Sequence, residues 1–220
     1  MSEIKHSYAT KSIQYFSNVR TDIVPLLEGP YERVLDVGCG SGDTLHFLKQ
    51  AGYSSWTAGI ELFPEAARSA REKGVDHVIE GSIEGVVWPF TLETFDLVLC
   101  LDVLEHLSDP WSVIAKLHAL MAPGGTLICS IPNVRHVKIV LPLLFAGQWT
   151  YTDWGLLDRT HLRFFTKSSA IDLLESSGLA AEQVVSKGIT GKYAVANTLT
   201  FGALRPLLEY QYLIRCRNVG

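Results

Sequence analysis

In the stretch LDVGCGSGD, Asp36 and the glycines Gly38, Gly40 and Gly42 stand at alternate positions directly after an apolar run. Glycines there let the backbone turn tightly and approach a ligand, and a helix opening at the same place offers free N–H groups. Glu61 closes the next apolar run, where an acidic side chain receives the hydroxyls of a bound ribose. The spacing is not that of a dinucleotide fingerprint, whose third glycine would fall at position 43, held here by Asp43. A carboxylate beside the turn, Asp36, is awkward for a pyrophosphate and welcome for a cationic amino-acid cofactor.

A second stretch, DVLEHLSDP, brings Asp102, Glu105 and His106 together. If 102–106 is a helical turn, Asp102 shares a face with both Glu105 and His106, which makes a corner able to hold a hard metal. The preferred reading is metal-free: His106 bonds to backbone or lines a pocket, and Glu105 caps a helix. A third stretch, LLDRTHLRFFT, interleaves Asp158, Arg159, His161 and Arg163 with leucines and phenylalanines. Arginines beside a pocket bind a carboxylate or phosphate in a bidentate way, or pair with Asp158 and hold the segment shut.

These residues need a frame. Apolar runs predict strands at 33–38, 56–61, 77–81, 95–102, 126–133, 181–187 and 210–217. Helices are expected at 43–52, 64–74, 110–125, 166–178 and 192–208. This alternation specifies an α/β fold, a parallel sheet with helices on both faces, in a single domain over 1–220. A helical arm covers 1–29, with a second helix near 21–28. An apolar, aromatic insertion at 134–165 carries Trp149, Tyr151 and Trp154. It reads first as a lid over an acceptor site, then as a patch for a membrane or lipid-linked substrate, then as a dimer contact; a monomer and a homodimer both remain open. Tyr15, Phe16 and Arg20 of the arm can close the site from the other side.

A formal charge of −4 gives no electrostatic reason to expect a nucleic-acid partner. The four cysteines lie apart, without a C-x-x-C pair, and are expected as buried thiols of a reducing compartment. The N-terminus lacks the apolar run of a signal peptide and no run is long enough to span a bilayer. A cytoplasmic protein, peripheral to a membrane at most, is expected.

VLDVGCGSG, GIE, FDLVLCLDVLEHLSDP and APGGTLICSIPN together resemble the successive motifs of class I S-adenosylmethionine-dependent methyltransferases. The shade is that of the ubiquinone-biosynthesis O-methyltransferases, over about 30–133. The resemblance implies a Rossmann-like seven-stranded sheet whose last strand inserts antiparallel, with S-adenosylmethionine across the strand ends. It places Asp36 and Gly38 at the methionine part, Glu61 (followed by Leu62) at the ribose, and Ser82 and Ile83 at the adenine. Leu101 and Asp102 then lie near the methionine end. Where the family often has Asp, this chain has Ser82, a neutral and shorter acceptor. The family also has a Glu-x-x-Glu-His metal motif completed by a downstream histidine, which maps onto Asp102, Glu105, His106 and His161. His161, in the segment that builds the acceptor pocket, and His106 are the candidate bases, with His161 favoured; it can also be a metal ligand or a brace. Arg20, Trp149, Tyr151, Trp154, Arg159 and Arg163 are the candidate acceptor contacts. The expected acceptor is a small molecule bearing a hydroxyl, such as a sugar, glycan precursor or quinone-like compound. A fold member that binds the cofactor without catalysis and an RNA-end 2′-O-methyltransferase are the alternatives.

Overall fold

A computed structural model describes residues 18–220; Tyr15 and Phe16 of the arm lie outside them. One sheet contains β1 Tyr31–Val37, β2 Ser54–Glu61, β3 His77–Glu80, β4 Phe95–Leu101, β5 Met121–Pro132, β6 Leu179–Lys187 and β7 Gln211–Asn218. The helices are α1 Asp43–Gln50, α2 Pro64–Glu72, α3 Pro110–Leu120, α4 Val137–Ala146, α5 Lys167–Glu175, α6 Lys192–Leu199 and α7 Arg205–Leu208. The strand order is β3-β2-β1-β4-β5-β7-β6. The first five strands are parallel, and β7 inserts antiparallel between β5 and β6, as the resemblance implies.

The continuous apolar run of β4 follows from its place in mid-sheet, where both faces are covered. Leu97 and Leu99 enter one core with Leu45 and Leu48 of α1 and Ala70 of α2. Val98 and Cys100 enter the other with Val113, Ile114 and Leu117 of α3 and Leu173 of α5. Each fully buried aliphatic side chain contributes about 1.5–3 kcal/mol. The two layers thus fix the strand ends where the candidate residues emerge.

Three local expectations are corrected, and the insertion gains a helix. The segment near 21–28 is a 3-10 helix at Thr21–Leu26 with Pro25 inside it. The helix expected over 110–125 stops at Leu120, and β5 starts at Met121, paired with Phe95. Pro123 cannot supply the N–H that a continuing helix would use. The insertion contains the capped helix α4: His136 Nδ1 accepts from the Lys138 N–H at 3.3 Å, and Gly147 ends it with φ 61°. The helix expected over 192–208 is broken into α6 and α7, with positive φ at Phe201 and Gly202 between them.

Candidate active site

The turn after β1 is built for close approach. Gly38 has φ 74°, and a Cβ there would meet Val103 Cγ2 at 2.6 Å. Gly42 caps α1 with φ 77°, and a Cβ would fall 2.9 Å from Ala70, so neither position accepts a side chain without strain. Glu61, buried at the end of β2, accepts from the N–H of Gly40 at 2.8 Å and of Phe63 at 2.9 Å. Burial pushes its carboxyl up and those backbone donors oppose the shift. Burial also pushes the Asp36 carboxyl up to about 8; Arg20 opposes this and the charge of Glu61 adds to it. The turn therefore presents acidic groups whose ionised form a bound cation would favour.

Asp102 follows β4 in the left-handed region, φ 58°. Arg20 Nη1 donates to its Oδ2 at 2.6 Å, and Ser130 Oγ donates to its Oδ1 at 2.8 Å. Gln211 Nε2 donates to the same Oδ1. Arg20 is itself held by Asp22, through Nε and Nη2, each at 3.0 Å. The start of the chain's described part is in this way tied to the ends of β4, β5 and β7.

A cavity of about 690 Å³ opens over these strand ends, a volume in the range of small-molecule sites. Asp36, Gly38, Gly40, Glu61, Leu62, Ser82, Ile83, Leu101 and Asp102 line it, together with Arg20 and His106. Gly42 lies behind the wall as a helix cap. Of the insertion, Leu162 lines the cavity, and the aromatic residues Trp149, Tyr151 and Trp154 do not. Trp149 and Tyr151 instead gather round Phe164, with ring centroids at 5.0 and 6.4 Å, and Trp154 is exposed. Arg159 pairs with Asp153 at 3.0 Å. Arg163 donates through Nε to the Ser108 carbonyl at 3.1 Å and covers the Trp111 ring.

Asp102 does not share a helical face with His106. Only Leu104–His106 of this stretch form a 3-10 turn, and among the described residues those that could hold a metal ion are Glu105, His106 and His161, whose ligand atoms lie within 4.8 Å of one another. The two imidazoles meet edge to face with centroids 4.7 Å apart. His106 Nδ1 lies 3.1 Å from the Thr160 carbonyl, and His161 Nδ1 lies 3.1 Å from that of Leu156. A carbonyl only accepts, so each Nδ1 carries the proton and Nε2 is the basic nitrogen. Glu105 is buried, and its Oε2 has no hydrogen-bond partner among the described residues. Burial, then the neighbouring Asp102 charge, pushes its carboxyl well above the usual carboxylate range. The N–H groups of Leu162 and Arg163 donate to the Glu105 carbonyl at 2.8 and 2.9 Å, which docks LLDRTHLRFFT onto this turn.

Sequence reasoning missed Ser130 and Gln211, the donors that orient Asp102, and Leu162 and Glu84 of the cavity wall. Leu162 had a signal, being next to His161. Ser130 and Gln211 had none, because their roles depend on the pairing of β5 with β7.

A family model described as a methyltransferase domain matches residues 7–184. The chain is 29% identical over 190 residues to the ubiquinone biosynthesis O-methyltransferase of Xanthomonas campestris, covering 78% of this chain and 76% of that one. In structure it resembles a SAM-dependent methyltransferase from Thermotoga maritima, with TM-score 0.63 and 20% identity, covering 99% and 95% of the two chains. A methyltransferase of Haloferax volcanii, solved in complex with the activator Trm112, gives TM-score 0.65 at 17% identity, covering 100% and 95%. The chain belongs to the methyltransferase domain family. It is a SAM-dependent methyltransferase, and S-adenosylmethionine is its cofactor.

Proposed function

We propose that this enzyme transfers the methyl group of S-adenosylmethionine to a hydroxyl oxygen of a small molecule, a sugar, glycan precursor or quinone-like compound. The observation that carries the reading is the His106–His161 pair at the cavity's edge, with Nε2 as the basic nitrogen of each ring. Methyl transfer from a sulfonium is an in-line displacement, so the protein mainly aligns the nucleophile with the leaving sulfur. A hydroxyl also has to lose its proton, which a neutral imidazole accepts.

In this reading Asp36 and Asp102 balance the cationic methionine end, and Arg20 takes the carboxylate. Glu61 receives the ribose hydroxyls, while Leu62, Ser82 and Ile83 flank the ribose and adenine. His106 is on the cavity wall and takes the acceptor proton. His161, favoured as the base from sequence, is buried behind it and becomes a positioning residue. The acceptor enters past Leu162.

One observation favours a metal-assisted form of the same reaction. The buried Glu105 oxygen without a hydrogen-bond partner lies in reach of both imidazoles, a donor set that fits a divalent cation. Glu105, His106 and His161 would hold the cation, which would polarise the acceptor hydroxyl and lower its pKa.

The test is transfer of labelled methyl from S-adenosylmethionine to sugar nucleotides, catecholic quinone precursors and small hydroxy acids, with the methylated atom located by mass spectrometry. O-methyl product supports the reading. Transfer confined to nitrogen or carbon acceptors would overturn it.

A further inference from the structure

Two cavity residues of opposite charge, Arg20 and Asp102, are held from one rung of the sheet. Lys187 closes β6 and pairs with Gln211, which opens β7; Gln211 pairs in turn with Pro132, the last residue of β5. Residues directly opposite in an antiparallel pair send their side chains to the same face. Lys187 Nζ donates to Asp22 Oδ2, and Gln211 Nε2 donates to Asp102 Oδ1. Asp22 grips the Arg20 guanidinium through two hydrogen bonds, each 3.0 Å, and Arg20 reaches Asp102 at 2.6 Å. The ring of contacts therefore closes on itself.

Backbone contacts fix the rung. The Tyr210 N–H donates to the Lys187 carbonyl at 2.7 Å. Gly188 then leaves the strand with φ 96°, and a Cβ there would fall 2.4 Å from Tyr210 Cβ, so the close approach of the two segments requires glycine. On the far side, the Arg20 N–H donates to Thr44 Oγ1 of α1 at 3.2 Å.

Charge explains why two cations are present. Arg20 by itself faces two carboxylates, Asp22 and Asp102, and Lys187 supplies the second positive charge. Burial pushes the Asp22 carboxyl up, but hydrogen bonds from Arg20 and Lys187 outweigh it and hold the group below the usual carboxylate range. Asp22 thus stays an ionised anchor for the guanidinium. Arg20 and Asp102 line the cavity, whereas Lys187, Asp22 and Gln211 are not among its lining residues. A zwitterionic amino-acid group carries one carboxylate and one ammonium, and the Arg20–Asp102 pair presents the two complementary charges.

We propose that Lys187 and Gln211 are positioning residues for cofactor capture: Lys187, through Asp22, aims Arg20 at the cofactor carboxylate, and Gln211 aims Asp102 at the ammonium. The inference rests on the methyl-transfer reading, in which Arg20 and Asp102 hold the methionine end. Without Lys187, Asp22 carries an uncompensated charge beside the incoming carboxylate and holds Arg20 less firmly. Both effects weaken capture of the amino-acid group and leave the nucleoside part untouched.

Calorimetric binding of two nucleosides to the full chain tests this. S-adenosylhomocysteine carries the amino-acid group, and 5′-methylthioadenosine lacks it. Lys187→Met and Gln211→Met should each weaken S-adenosylhomocysteine about three- to tenfold, with methylthioadenosine within about twofold of wild type. Lys187→Arg should restore most of the loss. In an Arg20→Leu background, Lys187→Met should cost almost nothing further, because its effect passes through Arg20. Unchanged S-adenosylhomocysteine affinity in both variants, an equal loss for the two nucleosides, or an undiminished loss in the Arg20→Leu background would overturn the proposal alone. A wild type that binds S-adenosylhomocysteine no better than methylthioadenosine would overturn the placement of Arg20 and Asp102 at the methionine end, and the proposal with it.

Discussion

The imidazole rings of His106 and His161 meet edge to face at 4.7 Å, and both direct Nδ1–H to backbone carbonyls of the same segment, Thr160 for His106 and Leu156 for His161. One loop thereby sets the tautomer of both rings. His106→Ala is expected to lower kcat by about 10²–10⁴-fold, the usual weight of a general base, with calorimetric cofactor affinity within a few-fold of wild type. His161→Ala should lower kcat less and alter the pH profile, while His161→Gln restores part of it if positioning is the role.

Asp36 links cofactor binding to pH. Its carboxyl is held at about 8 against an ordinary 3.8, so the folded protein without cofactor binds a proton that the unfolded chain has lost. Folded-state protonation makes the Asp36 contribution to stability greatest at low pH and lost as pH rises towards 8. The cationic cofactor favours the ionised form, so its affinity should rise with pH, approaching about tenfold per unit below 8, and binding should release a proton. Calorimetry in buffers of different ionisation enthalpy measures the release, and Asp36→Asn should flatten the slope.

Glu61 is buried and accepts from two backbone N–H groups. Glu61→Ala leaves the Gly40 and Phe63 donors without this acceptor and removes the proposed ribose ligand. Cofactor affinity should fall by about tenfold or more, and the fold should lose about 1–3 kcal/mol for each buried donor left unsatisfied, read as a lower melting temperature.

Gly42 tests the turn without touching the cavity wall. Gly42→Ala adds a methyl 2.9 Å from Ala70 at φ 77° and should destabilise the fold by about 1–3 kcal/mol, read from urea denaturation.

Much of this was legible because it is local. The glycine turn, Glu61 and the run from β4 into Glu105–His106 each sit within one strand–turn unit, where pattern and backbone chemistry agree. The sequence leaves a shared helical face for Asp102 and His106 open, because nothing near Asp102 signals the left-handed conformation that turns it to Arg20. Ser130 and Gln211 reach it only through the β5–β7 pairing, a long-range event. The aromatic insertion was read as a lid from composition, but Trp149 and Tyr151 pack on Phe164 and Trp154 faces out. Composition does not say which way a ring turns.

Chelation separates the two forms of the proposed chemistry. If Glu105, His106 and His161 hold a cation, the purified protein should contain about one equivalent of a divalent metal, and Glu105→Gln should lose it. A metal-free base predicts full activity in chelator.

The most direct measurement is paired: S-adenosylmethionine affinity by calorimetry and methyl transfer to a hydroxyl acceptor, in the wild type and in His106→Ala. The account predicts that both proteins bind the cofactor with similar affinity and that only the wild type turns over at a full rate. Failure of the wild type to bind the cofactor, or equal transfer by the two proteins, would contradict it.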